Sequence, residues 1–204
     1  ALYPDYEGTN VPRVYMSWGR GEAAIPWGDT WSFFDGGTEP SADWAETAYD
    51  DSSWSTGAAE LGFGEEDETT TVNPEATTVY FRREVTVTDP VSFYEVIVRY
   101  DDGFALWVNG ELVHTENIGE EEDAFLYGTP ATAQSDNALV RFSLGEEGTN
   151  PFVEGTNVVS VMVKQAANAG GDLSFDMELS LYAGAEPGEG SLELLGMPNI
   201  ISSP

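Results

Sequence analysis

Adjacent carboxylates are the first chemistry the chain offers. Asp101 and Asp102, followed by Gly103, set two hard oxygen donors side by side, which is the beginning of a Ca²⁺ site. Such an ion takes about six to eight oxygens, so the pair is incomplete, and the same three residues also read as a solvated turn between strands. Aromatic faces are the second resource, because a sugar ring stacks on an exposed Trp or Tyr. Trp18, Trp27 and Trp31 stand amid glycines and a proline, where a surface position is expected; a lid over one end of a β core is the competing reading. Trp54 and Trp107 lie in motifs that read as core.

Catalysis has less to draw on. A Ser-His-Asp arrangement needs a positioned imidazole, and the single histidine, His114, falls on an ordinary strand pattern, ELVHTEN. Among 37 Asp and Glu some pair will be spaced for glycoside hydrolysis by chance, so acidic pairs carry no information. The run Glu65-Glu66-Asp67-Glu68 and the triplet Glu120-Glu121-Glu122 read as loop charge. There is no phosphate-binding loop and no dinucleotide fingerprint, because the glycine stretches precede no helix. The expectation is a protein that is not an enzyme.

The elements that must position these groups are strands. Thr77 to Val87 alternates Val79, Phe81, Val85 and Val87 against mostly polar neighbours, and Phe93 to Tyr100 is equally rich in β-branched and aromatic residues. Asn109-Gly110, between Leu106-Trp107-Val108 and Glu111-Leu112-Val113, predicts a tight hairpin, since a type I′ turn needs positive φ at both central residues. Ala138 to Leu144, Val158 to Lys164 and Leu173 to Leu181 repeat the strand pattern, and no segment sustains helical periodicity. The fold class expected is all-β, a jelly-roll-like antiparallel β-sandwich with irregular N-terminal and C-terminal extensions. Its expected organisation is an extension over 1–29, the sandwich over 30–182, and a Gly/Pro spacer with an apolar tail over 183–204.

Composition bounds the partners. A net charge of −30 on 204 residues repels phosphate backbones and anionic headgroups, so no nucleic acid is expected. No run approaches the roughly 20 apolar residues of a membrane helix, and no membrane insertion is expected. Zero Cys removes disulfides and thiolate chemistry. A chain starting at Ala1 with no basic-plus-apolar leader is expected to be a soluble, processed product. One Lys, Lys164, stands beside six Arg, a skew that fits solubility in a saline or calcium-rich exterior; carboxylates that merely keep sheet edges from aggregating are the blander account.

Read in order, Trp44, YDDSSW (Tyr49 to Trp54), LGFG (Leu61 to Gly64), VYFRREVTV (Val79 to Val87), DDGFALWVNGELV (Asp101 to Val113), GTNVVSVMV (Gly155 to Val163) and DLSFDMELSL (Asp172 to Leu181) form a series. The series resembles the galactose-binding-like jelly-roll modules of secreted bacterial multidomain proteins and, more distantly, the sugar-binding domain of β-galactosidase-type glycoside hydrolases. DDGFALWVNG also looks like the segment of protective-antigen-type lectin modules in which adjacent aspartates hold Ca²⁺ that binds sugar hydroxyls. What the resemblance implies is a non-catalytic extracellular or cell-surface module binding carbohydrate, with Ca²⁺ assisting. Its ligand residues would be Trp18, Trp27, Trp31, Asp101 and Asp102, the two aspartates holding the metal. The alternative is a structural subunit of a fibre or surface layer, whose partners are neighbouring copies of itself and whose terminal segments make the joint.

Overall fold

The computed structural model describes residues 23–144, 150–167 and 171–183. Trp18, the tail from 184 to 204 and residues 1–22 of the expected N-terminal extension lie outside the described residues. In chain order the strands are β1 (Ala23–Ile25), β2 (Thr30–Phe34), β3 (Ser55–Ala58), β4 (Leu61–Phe63), β5 (Thr70–Thr71) and β6 (Thr78–Val87). There follow β7 (Val91–Asp101), β8 (Gly103–Val108), β9 (Glu111–Glu116), β10 (Ala138–Leu144), β11 (Gly155–Lys164) and β12 (Leu173–Ala183). The helical element among the described residues is a single 3₁₀ turn, Glu122–Phe125.

Two sheets result. The first runs β10-β7-β12-β4-β5, with β1 also paired to β12; the second runs β3-β2-β6-β11-β8-β9. All pairings are antiparallel except β4 with β5. From β5 onward each strand or hairpin crosses to the opposite sheet, which is the jelly-roll-like winding of an all-β sandwich. Ala23 to Ile25 fall within the stretch read as an extension, yet they pair with Ser180 and Leu179 and form part of the first sheet.

Strand period dictates the core. Val79, Phe81 and Val85 of β6 face Val96 and Val98 of β7 and Phe175, Met177 and Leu179 of β12, all buried. At its centre Phe175 stacks on Phe81 at 4.4 Å and meets Trp31 edge-on at 5.0 Å. Each fully buried side chain of this kind contributes roughly 1.5–3 kcal/mol. The hairpin expected at Asn109-Gly110 forms, with φ of 52° and 83°.

The second sheet is buried on its outer face as well. VVSVMV in β11 is apolar nearly throughout because both faces are covered: Val159, Val161 and Val163 point into the sandwich, and Met162 points the other way. Met162, Tyr80 and Ala105 carry a second aromatic cluster of Phe34, Trp44, Tyr49, Trp54 and Trp107. YDDSSW and its neighbours are clamped there by buried Arg82, whose Nε meets Asp51 Oδ2 at 3.2 Å. The same guanidinium donates to the carbonyls of Trp44, Glu46 and Tyr49. The outward face of the first sheet carries instead Glu95, Ile97 and Arg99 on β7 opposite Ser180, Glu178 and Asp176 on β12.

Candidate functional site

Asp101 and Asp102 close the passage from β7 to β8, and each is only 2% exposed. This corrects the solvated-turn reading: the turn is packed under neighbouring loops. Asp102 spends both carboxylate oxygens on backbone, accepting from the Ser135 N–H at 2.8 Å and the Ala166 N–H at 2.7 Å. Its carbonyl accepts from Asn117 Nδ2 at 2.8 Å. Burial, and then the hydrogen bond with and charge of Asp102, push the Asp101 carboxyl upward. Together the two aspartates pin three loops to the end of the sandwich.

The tryptophans separate. Trp31 is fully buried at 0% exposure, so the expected surface position is corrected: β2 turns the ring inward against Phe175. Trp27 lies on the turn between β1 and β2 and is 36% exposed. His114 on β9 bonds Glu116 Oε1 through Nε2 at 2.9 Å and stacks on Phe142 of β10 at 4.0 Å, bridging the rims of the two sheets.

Beside Trp27 runs a line of charge. The Gly28 N–H is shared by both oxygens of Asp176, each at 3.2 Å, and the Met177 N–H reaches Oδ1 at 2.7 Å. Burial dominates there and pushes the Asp176 carboxyl up to about 6, against those bonds and the charge of Arg99. Arg99 is the register partner of Asp176 across β7 and β12, and its Nη1 meets Glu60 Oε2 at 2.5 Å. Glu60 is 8% exposed, because the chain passes from the second sheet to the first between Ala58 and Leu61.

Glu60 also belongs to a carboxylate cluster. Glu60, Glu65 and Asp67 each offer an oxygen within 4.8 Å of the others. The Glu65 carboxyl is pushed upward by burial first and then by the charges of Asp67, Asp136, Asp172 and Glu60. Asn137 ties this cluster to the aspartate pair: its Nδ2 donates to Glu65 Oε2 and its N–H to Asp101 Oδ2. Thus the structure gathers Glu65 and Asp67, read from sequence as loop charge, while Glu120, Glu121 and Glu122 are exposed. Sequence reasoning passed over Glu60, Arg99 and Asp176. The available signal was an ionic residue set inside an otherwise apolar pattern: Glu60 in GAAELGFG, Arg99 in FYEVIVRY and Asp176 in LSFDMELSL.

No family model and no curated protein matches the chain. Among solved structures it is similar to a β-glucuronidase from glycoside hydrolase family 2, at a TM-score of 0.51 and 12% identity over 82% of this chain and 18% of that one. Bacteroides uniformis β-glucuronidase aligns at 0.48 and 17% identity, over 76% of this chain and 17% of that one. An uncultured Clostridium sp. β-glucuronidase aligns at 0.47 and 10% identity, over 80% and 30%. At these identities the likeness is one of fold, and the chain spans less than a third of the length of each hydrolase. What the likeness shows is the fold, a two-sheet β-sandwich shared with part of a glycoside hydrolase family 2 chain, as the motif series implied. Among the described residues no helix is long and apolar enough to cross a membrane.

Proposed function

We propose that this chain is a non-catalytic, extracellular carbohydrate-binding module that presents Trp27 to its ligand. The observation that carries the reading is the half-open Trp27 ring on a turn held by Asp176, whose strand partner Arg99 is paired with Glu60. An aromatic face suits the apolar side of a sugar ring, and planar charged groups suit its hydroxyls. The fold shared with part of a glycoside hydrolase supports the same class of ligand. With a net charge of −30, neutral glycans are favoured over acidic ones.

The test is calorimetric titration with a panel of neutral and acidic oligosaccharides. Binding of a neutral glycan that Trp27→Ala weakens at least about tenfold, with unchanged stability, supports the reading. No binding across the panel overturns it.

A second reading, assembly with neighbouring copies, is favoured by β10. This strand ends its sheet, and Leu139 on it is 61% exposed, an edge that can accept another strand. Deleting 185–204 and measuring mass in solution tests the tail's part in it. A monomer before and after deletion removes this reading.

A further inference from the structure

Electrostatics alone makes the Glu60 cluster incomplete. Glu60 Oε2 has Arg99, but Glu60 Oε1 is buried with no hydrogen-bond partner among the described residues, in a side chain more than nine-tenths buried. A desolvated carboxylate oxygen without a donor is costly, and here Glu65 and Asp67 add two more anions within 4.8 Å. Asp136 and Asp172 raise the negative field further. Among the described residues Arg99 is the one cation bonded to the group, and it already serves the other oxygen of Glu60. Beside them Asn137 Oδ1 is likewise buried with no donor among the described residues, while the amide nitrogen of the same side chain holds Glu65. These are acceptor oxygens, with no Cys and no His among them, so they suit a hard cation. The three carboxylates are close enough to share one ion, and a loop-borne set of oxygens suits the flexible coordination of Ca²⁺ better than the strict octahedron of Mg²⁺.

We propose that Glu60, Glu65 and Asp67 bind one Ca²⁺ where the chain crosses between the two sheets, with Asn137 Oδ1 beside them. The ion would fasten the connection after β4, which carries Glu65 and Asp67, to the buried carboxylate of Glu60. Through Arg99 and Asp176 it would also steady the turn that carries Trp27; this last consequence rests on the carbohydrate reading, whereas the ion site does not.

The experiment is calorimetric titration of the chelator-stripped full chain with CaCl₂, without glycan, at fixed NaCl so that diffuse screening is constant. One Ca²⁺ per chain is expected, bound more tightly than Mg²⁺. Glu65→Gln and Asp67→Asn should each weaken it about tenfold or more. Glu65 is only partly buried and Asp67 is exposed, so both variants should keep the wild-type circular dichroism. Glu121→Gln/Glu122→Gln, which removes the same kind of charge from an exposed site, should leave Ca²⁺ binding unchanged. Absence of stoichiometric uptake overturns the proposal, and so does equal uptake in Glu65→Gln and Asp67→Asn. Equal loss in the Glu121→Gln/Glu122→Gln control overturns it too, because that is counter-ion condensation. Ca²⁺ uptake with no glycan bound anywhere in the panel upholds the ion site and removes the carbohydrate reading alone.

Discussion

The side-chain amide of Asn109 donates to Asn157 Oδ1 at 2.8 Å, locking the β8–β9 hairpin turn onto the start of β11. Asn109 also donates to the Pro151 carbonyl and accepts from the Val158 N–H, each at 2.9 Å. It therefore does two jobs, taking positive φ in the turn and cross-linking three segments. Asn109→Gly preserves the φ and removes the bonds, and a loss of about 1–3 kcal/mol is expected in urea unfolding. Asn109→Ala loses both and should cost roughly 1 kcal/mol more. Equal stability of Asn109→Gly and the wild type would show the cross-links to be idle.

Gly62 in LGFG is required by contact. A Cβ there would stand 2.0 Å from the Leu173 carbonyl oxygen, which is backbone and cannot rotate aside, so β12 would be forced away from β4. Gly62→Ala should destabilise by about 2 kcal/mol or more. Gly128, whose added Cβ would meet nothing within 4 Å, is the internal control, and Gly128→Ala should be near neutral. Thermal unfolding of the two variants side by side decides it; similar midpoints would refute the steric account.

Strand period and turn chemistry are local, and that is why they were legible. The alternation of Val79, Phe81, Val85 and Val87 and the Asn109-Gly110 turn come out as read. Trp54 lies in the core of the second aromatic cluster as read, with the Tyr49 ring 5.7 Å away. Side-chain surroundings are not local. Trp31 looked superficial from its glycine-rich neighbourhood, but strand parity in β2 turns it to the core, and β2 is too short for its pattern to announce that parity. Asp101 and Asp102 looked wet because Asp-Gly turns usually are; the loops that bury them come from residues 117, 135–137 and 166. The Glu60–Arg99–Asp176 line spans 116 positions of sequence, and only the pairing of β7 with β12 brings it together.

Asp176 gives acid pH a measurable effect. Its folded value of about 6 lies above the ordinary 3.8, so between those values the folded state keeps a proton that the unfolded chain has released. The stabilisation is complete below about pH 4 and is lost as pH rises through 6. Asp176→Asn removes this term, so the wild type should lose up to about 3 kcal/mol more than the variant between pH 4 and 7. Urea midpoints of both proteins across that range test it, and parallel curves would contradict the assignment. The raised Asp101 carboxyl acts in the same direction in both proteins and cancels in the comparison.

Lys164, the one lysine, should act in the opposite sense at alkaline pH. Its ammonium is buried beneath the second sheet's covering loops, where Nζ donates to the Leu126 carbonyl at 2.5 Å and the Thr129 carbonyl at 2.9 Å. Burial pushes it down to about 8, with the charge of Glu39 opposing. From about pH 8 to 10.5 the unfolded chain holds a proton that the folded chain has given up, so this group makes stability rise with pH, by up to about 3 kcal/mol. The neutral amine still has two N–H groups, enough for both carbonyls, so the contacts survive deprotonation. Lys164→Met abolishes the slope and leaves Leu126 and Thr129 without their donor, lowering stability at pH 9 to 10 by about 2–4 kcal/mol. At pH 7 the gap should narrow, because the wild type there carries the cost of a buried charge. Tyr80 and Tyr94, both held above the ordinary tyrosine range by burial, weaken the fold at high pH equally in the two proteins. A stability difference that stays constant from pH 7 to 10 would mean that Lys164 titrates as an ordinary surface amine.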